Sequence, residues 1–153
     1  MATAQVRRTL LAAFFRLMFV AIMAVNSLNY FAPLVLLGGA HFLTAFKTDQ
    51  MQALALVSLG LYSAGYGISL VFFGFHCLLI GYLILRSAFL PRILGVLMAI
   101  TGWGWLTFLS PPLANYLWPY IAAASVLGEG SLTLWLLVLG VNVQRWKEQA
   151  SAA

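Results

Sequence analysis

Three side chains able to carry charge or move a proton lie deep inside apolar stretches: Arg16, His76 and Glu129. Counted at about 1.5 Å per residue from the flanking Arg or Trp, Arg16 lies about 12 Å in from Arg8, His76 about 15 Å from Arg86, and Glu129 about 16 Å from Trp118. Isolated charges at such depth are costly, and residues of this kind pair with one another or line a wet cavity. The spacing predicts an intramembrane polar cluster in which Glu129 pairs with Arg16. His76 would hydrogen-bond to one of the two, and Asn26 and Asn29 would extend the network outward. Glu129 also falls on a small, polar helical stripe, Ala122, Ser125, Glu129 and Thr133, flanked by Gly128 and Gly130. Such a cluster could relay protons or escort a solute. It could equally pin helices in register, a role for which buried polar groups are attested. Arg16 has a further option, snorkelling toward headgroups.

Other chemistries find little support. A haem needs facing axial ligands, and the second histidine, His41, sits in a polar loop. One His and one Glu make a thin metal-ligand set. No Ser-His-Asp arrangement, Gly-rich phosphate loop or Cys-x-x-Cys is present. The expectation is no catalytic residue, no metal and no cofactor. The lone cysteine, Cys77, excludes an internal disulfide and reads as a small packing residue.

The elements that must hold these residues are apolar throughout. Across 153 residues, 63% are hydrophobic and only 7% charged, too few charges to cover a water-soluble surface. Lipid must therefore be the solvent, and one all-α transmembrane domain covers the chain. Four helices are expected, roughly at residues 9–38, 51–86, 91–110 and 119–143. Arg7 and Arg8 ahead of an apolar run outline a signal peptide, but that run carries Arg16 and continues to Leu37, which favours an uncleaved first span. The second run is too long for a bilayer core and would tilt, stand proud, or kink near Gly65-Tyr66-Gly67. Pro91 suits the first turn of the third helix. Pro111-Pro112 would end that helix, Asn115 to Pro119 would form a turn, and residues 149–153 a frayed tail.

The net charge of +5 does not point to nucleic acid, because the basic residues sit at the ends of apolar runs. Arg7, Arg8, Arg86, Arg92, Arg145 and Lys147 all fall on one side of a four-span arrangement, with Lys47 on the other. The positive-inside rule then places both termini and the Arg86–Pro91–Arg92 turn in the cytoplasm, with the chain in the cell's inner membrane. Trp103, Trp105, Tyr116, Trp118 and Tyr120 would form an aromatic belt opposite.

Packing has its own signature. Gly60, Gly67, Gly74 and Gly81 recur every seven residues, with Cys77 alongside, and Gly95, Ala99 and Gly102 offer a matching seam on the next helix. Such a repeat keeps one stripe of small residues against one neighbour, so helices two and three should form a close antiparallel hairpin. His76, about 200° from Gly74 around the helix, faces away from that seam, as does Ser69 one heptad earlier. A second protein surface should cover it, placing helix two at the centre with helices one and four on its other side.

The stretch Phe72-Phe-Gly-Phe-His-Cys-Leu-Leu-Ile-Gly-Tyr-Leu-Ile-Leu-Arg-Ser-Ala-Phe-Leu-Pro-Arg-Ile-Leu-Gly resembles the bacterial membrane family catalogued as domain of unknown function 4386. So do Phe15-Arg16 with Asn26 and Asn29, and Gly128-Glu129 followed by Leu134-Trp135 through Asn142. The resemblance implies an integral membrane protein without an assigned activity, with Arg16, Asn26, His76, Arg86, Pro91, Arg92 and Glu129 as motif positions. It also implies longer relatives with further spans ahead of the matching region. A shortened chain would expose faces to lipid or to partners and so associate with itself or a larger assembly. The expected function is a non-catalytic structural or accessory membrane subunit, with a homo-oligomer or other membrane subunits as partners. The alternative is a small proton-coupled carrier working through Glu129, His76 and Arg16.

Overall fold

A computed structural model describes residues 2–39 and 41–151. Among these residues there is no strand; the chain is helical almost throughout. Helix α1 is Ala2–Leu37, α2 Thr48–Arg86, α3 Arg92–Leu106, α4 Pro111–Val138 and α5 Val143–Ser151, with short 3-10 turns at His41–Leu43 and Thr107–Leu109. Four segments are long and apolar enough to cross a membrane: Gln5–Leu37, Thr48–Arg86, Arg92–Leu109 and Pro111–Val138. Most of their large apolar side chains stay outside the bundle, as an integral multi-pass membrane protein requires.

Local chemistry sets the helix ends. After α1 and α4 the chain passes through Gly39 and Gly140 at φ of 71° and 64°, a left-handed conformation that glycine adopts without a Cβ clash. The Leu139 and Gly140 N–H groups turn back to the Trp135 carbonyl, capping α4. At the other end of α2, Ser87 is extended and sends both its N–H and its hydroxyl to the Ile84 carbonyl. The Arg86–Arg92 turn is therefore a tight stop, and Pro91 sits just ahead of α3 as its N-cap rather than inside it.

Three expected boundaries shift. Pro111 and Pro112 open α4 instead of merely closing α3, and residues 115–119 are helical with Pro119 inside. Proline's missing N–H removes nothing in the first turn, and one internal proline is tolerated in a membrane helix when neighbours satisfy the freed carbonyl. α2 continues as helix through Gly65-Tyr66-Gly67. The basic Arg145-Trp146-Lys147 stretch belongs to the separate helix α5, which reaches Ser151; Ala152 and Ala153 of the expected tail lie outside the described residues.

The helices pack in chain order: α1 on α2, α2 on α3, and α3 on α4. α2 is central as expected, but α4 rests on α3, not on the His76 side of α2. The glycines explain the central contact. A Cβ built on Gly81 would come within 2.8 Å of the Gly95 carbonyl oxygen, and one on Gly95 within 2.8 Å of the Gly81 oxygen. Gly74 and Gly102 repeat this pairing at 3.0 and 2.9 Å, two turns along. Cys77 is fully buried beside the seam. The stripe ends sooner than its spacing suggested: Gly67 touches only the Phe108 ring, and Gly60 meets nothing within 4 Å. α3 is shorter than α2, so the outer glycines of α2 have no helix to meet.

Candidate functional site

The predicted polar residues are carried by α1 (Arg16, Asn26, Asn29), α2 (His76) and α4 (Glu129). Glu129 does not pair with Arg16. Its Oε1 accepts hydrogen bonds from the Ser125 hydroxyl at 2.6 Å, one turn back on α4, and from Trp105 Nε1 at 3.2 Å on α3. Arg16 instead lies over aromatic faces, its guanidinium carbon 4.8 Å from the Phe73 ring centre and 5.3 Å from that of Phe19. A ring face offers a guanidinium an attractive quadrupole where no carboxylate is in reach. His76 bonds to neither charged residue: Nδ1 donates to the Ala12 backbone carbonyl at 2.9 Å, which ties α2 to α1 and leaves Nε2 without a partner among the described residues. Among those residues there is no ion pair at all.

The group nevertheless converges on one side chain, Phe73. Its ring meets Arg16, stacks with His76 at 5.9 Å, contacts Phe19 at 4.9 Å and Trp105 at 6.2 Å. Trp105 then reaches Glu129, so a path of direct contacts, Arg16–Phe73–Trp105–Glu129, crosses all four spans. An aromatic hub stands where a salt bridge was expected. Phe73 and Trp105 were missed as site residues because an apolar ring on an apolar helix carries no sequence signal, and Trp105 counted as a belt residue. It is buried, whereas Trp103, Tyr116 and Tyr120 are exposed.

Asn26 and Asn29 form a separate node. Asn26 is buried and donates through Nδ2 to the Tyr62 carbonyl at 2.8 Å, while Asn29 Nδ2 donates to Asn26 Oδ1. Asn26 occupies the space a Cβ on Gly65 would fill, so that glycine serves α1 and not α3. Among the described residues no hydrogen bond links this node to Arg16, His76 or Glu129.

A family model matches residues 2–140, described as a domain of unknown function, DUF4386. The chain belongs to this family. The DUF4386 match spans all four membrane-crossing segments. No curated protein matches the chain, and no solved structure does.

A cavity of about 410 Å³ adjoins the hub. His76 forms part of its wall, with Thr9 of α1, Ile80 of α2, Ser87 just past the end of α2, Met98 of α3 and Leu132 of α4. It fills the gap that chain-order packing leaves between α1 and α4. Its lining is mostly apolar, and neither Arg16 nor Glu129 is part of it.

Proposed function

We propose that this DUF4386 chain is a non-catalytic structural or accessory subunit of a membrane assembly, in which the polar residues hold helices together. The observation that carries this reading is that four intramembrane polar side chains each bond to a neighbouring helix. His76 binds the α1 backbone, Glu129 binds Trp105 of α3, Asn26 binds the α2 backbone, and Thr101 of α3 donates to the Ala124 carbonyl of α4. These are the contacts of register-pinning residues, not of a wet path. The unmatched outer faces of α1 and α4 leave room for a second copy or another membrane subunit. Both termini and the Arg86–Arg92 turn would face the cytoplasm of the inner membrane, as the Lys and Arg distribution favours.

A second reading, a small proton-coupled carrier working through Glu129, His76 and Arg16, draws on the His76-walled cavity and on the Phe73 ring that Arg16 and His76 share. Purified chain in vesicles loaded with a pH-sensitive dye separates the two. The subunit reading expects no proton flux that depends on Glu129, a lower melting temperature for Glu129→Gln, and oligomers or fixed partners by native mass measurement. A pH-dependent flux abolished by Glu129→Gln at unchanged melting temperature would reverse the ordering.

A further inference from the structure

At the basic end of the bundle, one contact between α1 and α2 gathers more positive charge than joining the two helices requires. Arg8 of α1 and Arg86 of α2 share one aromatic ring, their guanidinium carbons 5.0 and 5.5 Å from the centre of Tyr82, and Arg8 Nη1 also donates to the Tyr82 hydroxyl at 2.9 Å. Two like charges gathered on one ring repel each other unless an anion joins them, and no carboxylate does so. The chain's only acidic residues are Asp49, Glu129 and Glu148, and none makes an ion pair among the described residues. Guanidinium forks match phosphate oxygens in geometry as well as charge. The residue that follows each arginine, Thr9 after Arg8 and Ser87 after Arg86, lines the 410 Å³ cavity, whose other walls include Ile80, Leu83 and Leu136. A cationic pair next to an apolar cavity of ligand size has the polarity of an amphiphile with a phosphate head and a hydrocarbon tail.

We propose that Arg8, Tyr82 and Arg86 bind the phosphate of an anionic phospholipid, with an acyl chain in the cavity between α1 and α4. The site holds whether the chain acts as a subunit or as a carrier.

The full chain, in mixed micelles of phosphatidylglycerol and phosphatidylcholine, is released for native mass measurement of the lipid that stays bound. Phosphatidylglycerol should be retained in preference, and the double variant R8Q/R86Q should weaken its retention roughly thirtyfold, from the loss of two direct guanidinium–phosphate contacts. The control R7Q/R92Q removes the same charge from two exposed arginines whose side chains have no ring or hydrogen-bond partner among the described residues, and should change retention little. Thr9→Phe narrows the cavity and should weaken retention with both arginines intact. Equal loss in R7Q/R92Q would mean general surface potential and would overturn the site, as would equal retention of the two lipids. Displacement of the lipid by inorganic phosphate at matching concentration would assign the arginines to free phosphate and overturn the lipid. Melting temperatures in lipid-free detergent identify any variant that fails to fold, and Arg8→Lys with Arg86→Lys, keeping charge but losing the fork, supplies the folded comparison with intermediate retention.

Discussion

The inner helix pair and the two flanking helices are joined by different physics. Between α2 and α3 no side-chain hydrogen bond is found among the described residues; glycine meets glycine, and backbones approach until a single Cβ would collide with a carbonyl. On the flanks hydrogen bonds do most of the joining, although Gly128 of α4 also sits close against Leu97 and Thr101 of α3. α1 meets α2 through Arg8–Tyr82, His76–Ala12 and Asn26–Tyr62, and α3 meets α4 through Trp105–Glu129 and Thr101–Ala124. Lipid supplies no hydrophobic drive between helices, so close packing and interhelical hydrogen bonds must do the joining. The centre uses the first, whose failure is steep because there is no slack. The flanks use the second, in which each bond contributes modestly and independently.

If that division is right, the largest loss should come from the seam. Gly81→Leu drives a side chain into the Gly95 carbonyl and the backbone at Ala99. Unfolding in mixed micelles should show a loss of about 3 kcal/mol or more, or no folded protein. The flank bond to a carboxylate comes next: Glu129→Ala leaves the indole N–H of buried Trp105 unpaired and should cost about 1–3 kcal/mol, with indole fluorescence shifted. His76→Ala removes one bond from α1 to α2 and should cost about 1 kcal/mol by the same measurement, detaching α1 before the rest in hydrogen exchange. Gly60→Ala should fall within about 0.5 kcal/mol of wild type, since nothing lies within 4 Å of its added methyl. A Gly60 effect as large as that of Gly81, or a Glu129 effect exceeding it, would remove the distinction between seam and flanks.

Hydropathy made the membrane class and the four spans legible, because a bilayer's thickness leaves a length signature. The seam was legible at Gly74, Gly81, Gly95 and Gly102, since a seven-residue spacing has one geometric meaning. What failed was partner choice. The spacing of Arg16 and Glu129 along their own helices gives depth but not azimuth relative to a distant helix, so charge complementarity alone suggested a salt bridge. Phe73 and Trp105 intervene, because a ring face can hold a guanidinium and an indole N–H can satisfy a carboxylate. The start of α4 was misread for a related reason. Pro119 looks like a boundary in water, where an orphaned carbonyl is solvated and the helix gives way, but inside a bundle the helix runs on.

Because each helix leans on the one made just before it, assembly need not wait for the whole chain. α2 can close against α1 as it leaves the ribosome, α3 can lock onto α2 once the Arg86–Arg92 turn has formed, and α4 arrives last, onto a finished template. A nascent chain stalled after α3 should therefore already carry the glycine contact in full, with Thr101 and Trp105 still waiting for their acceptors on α4.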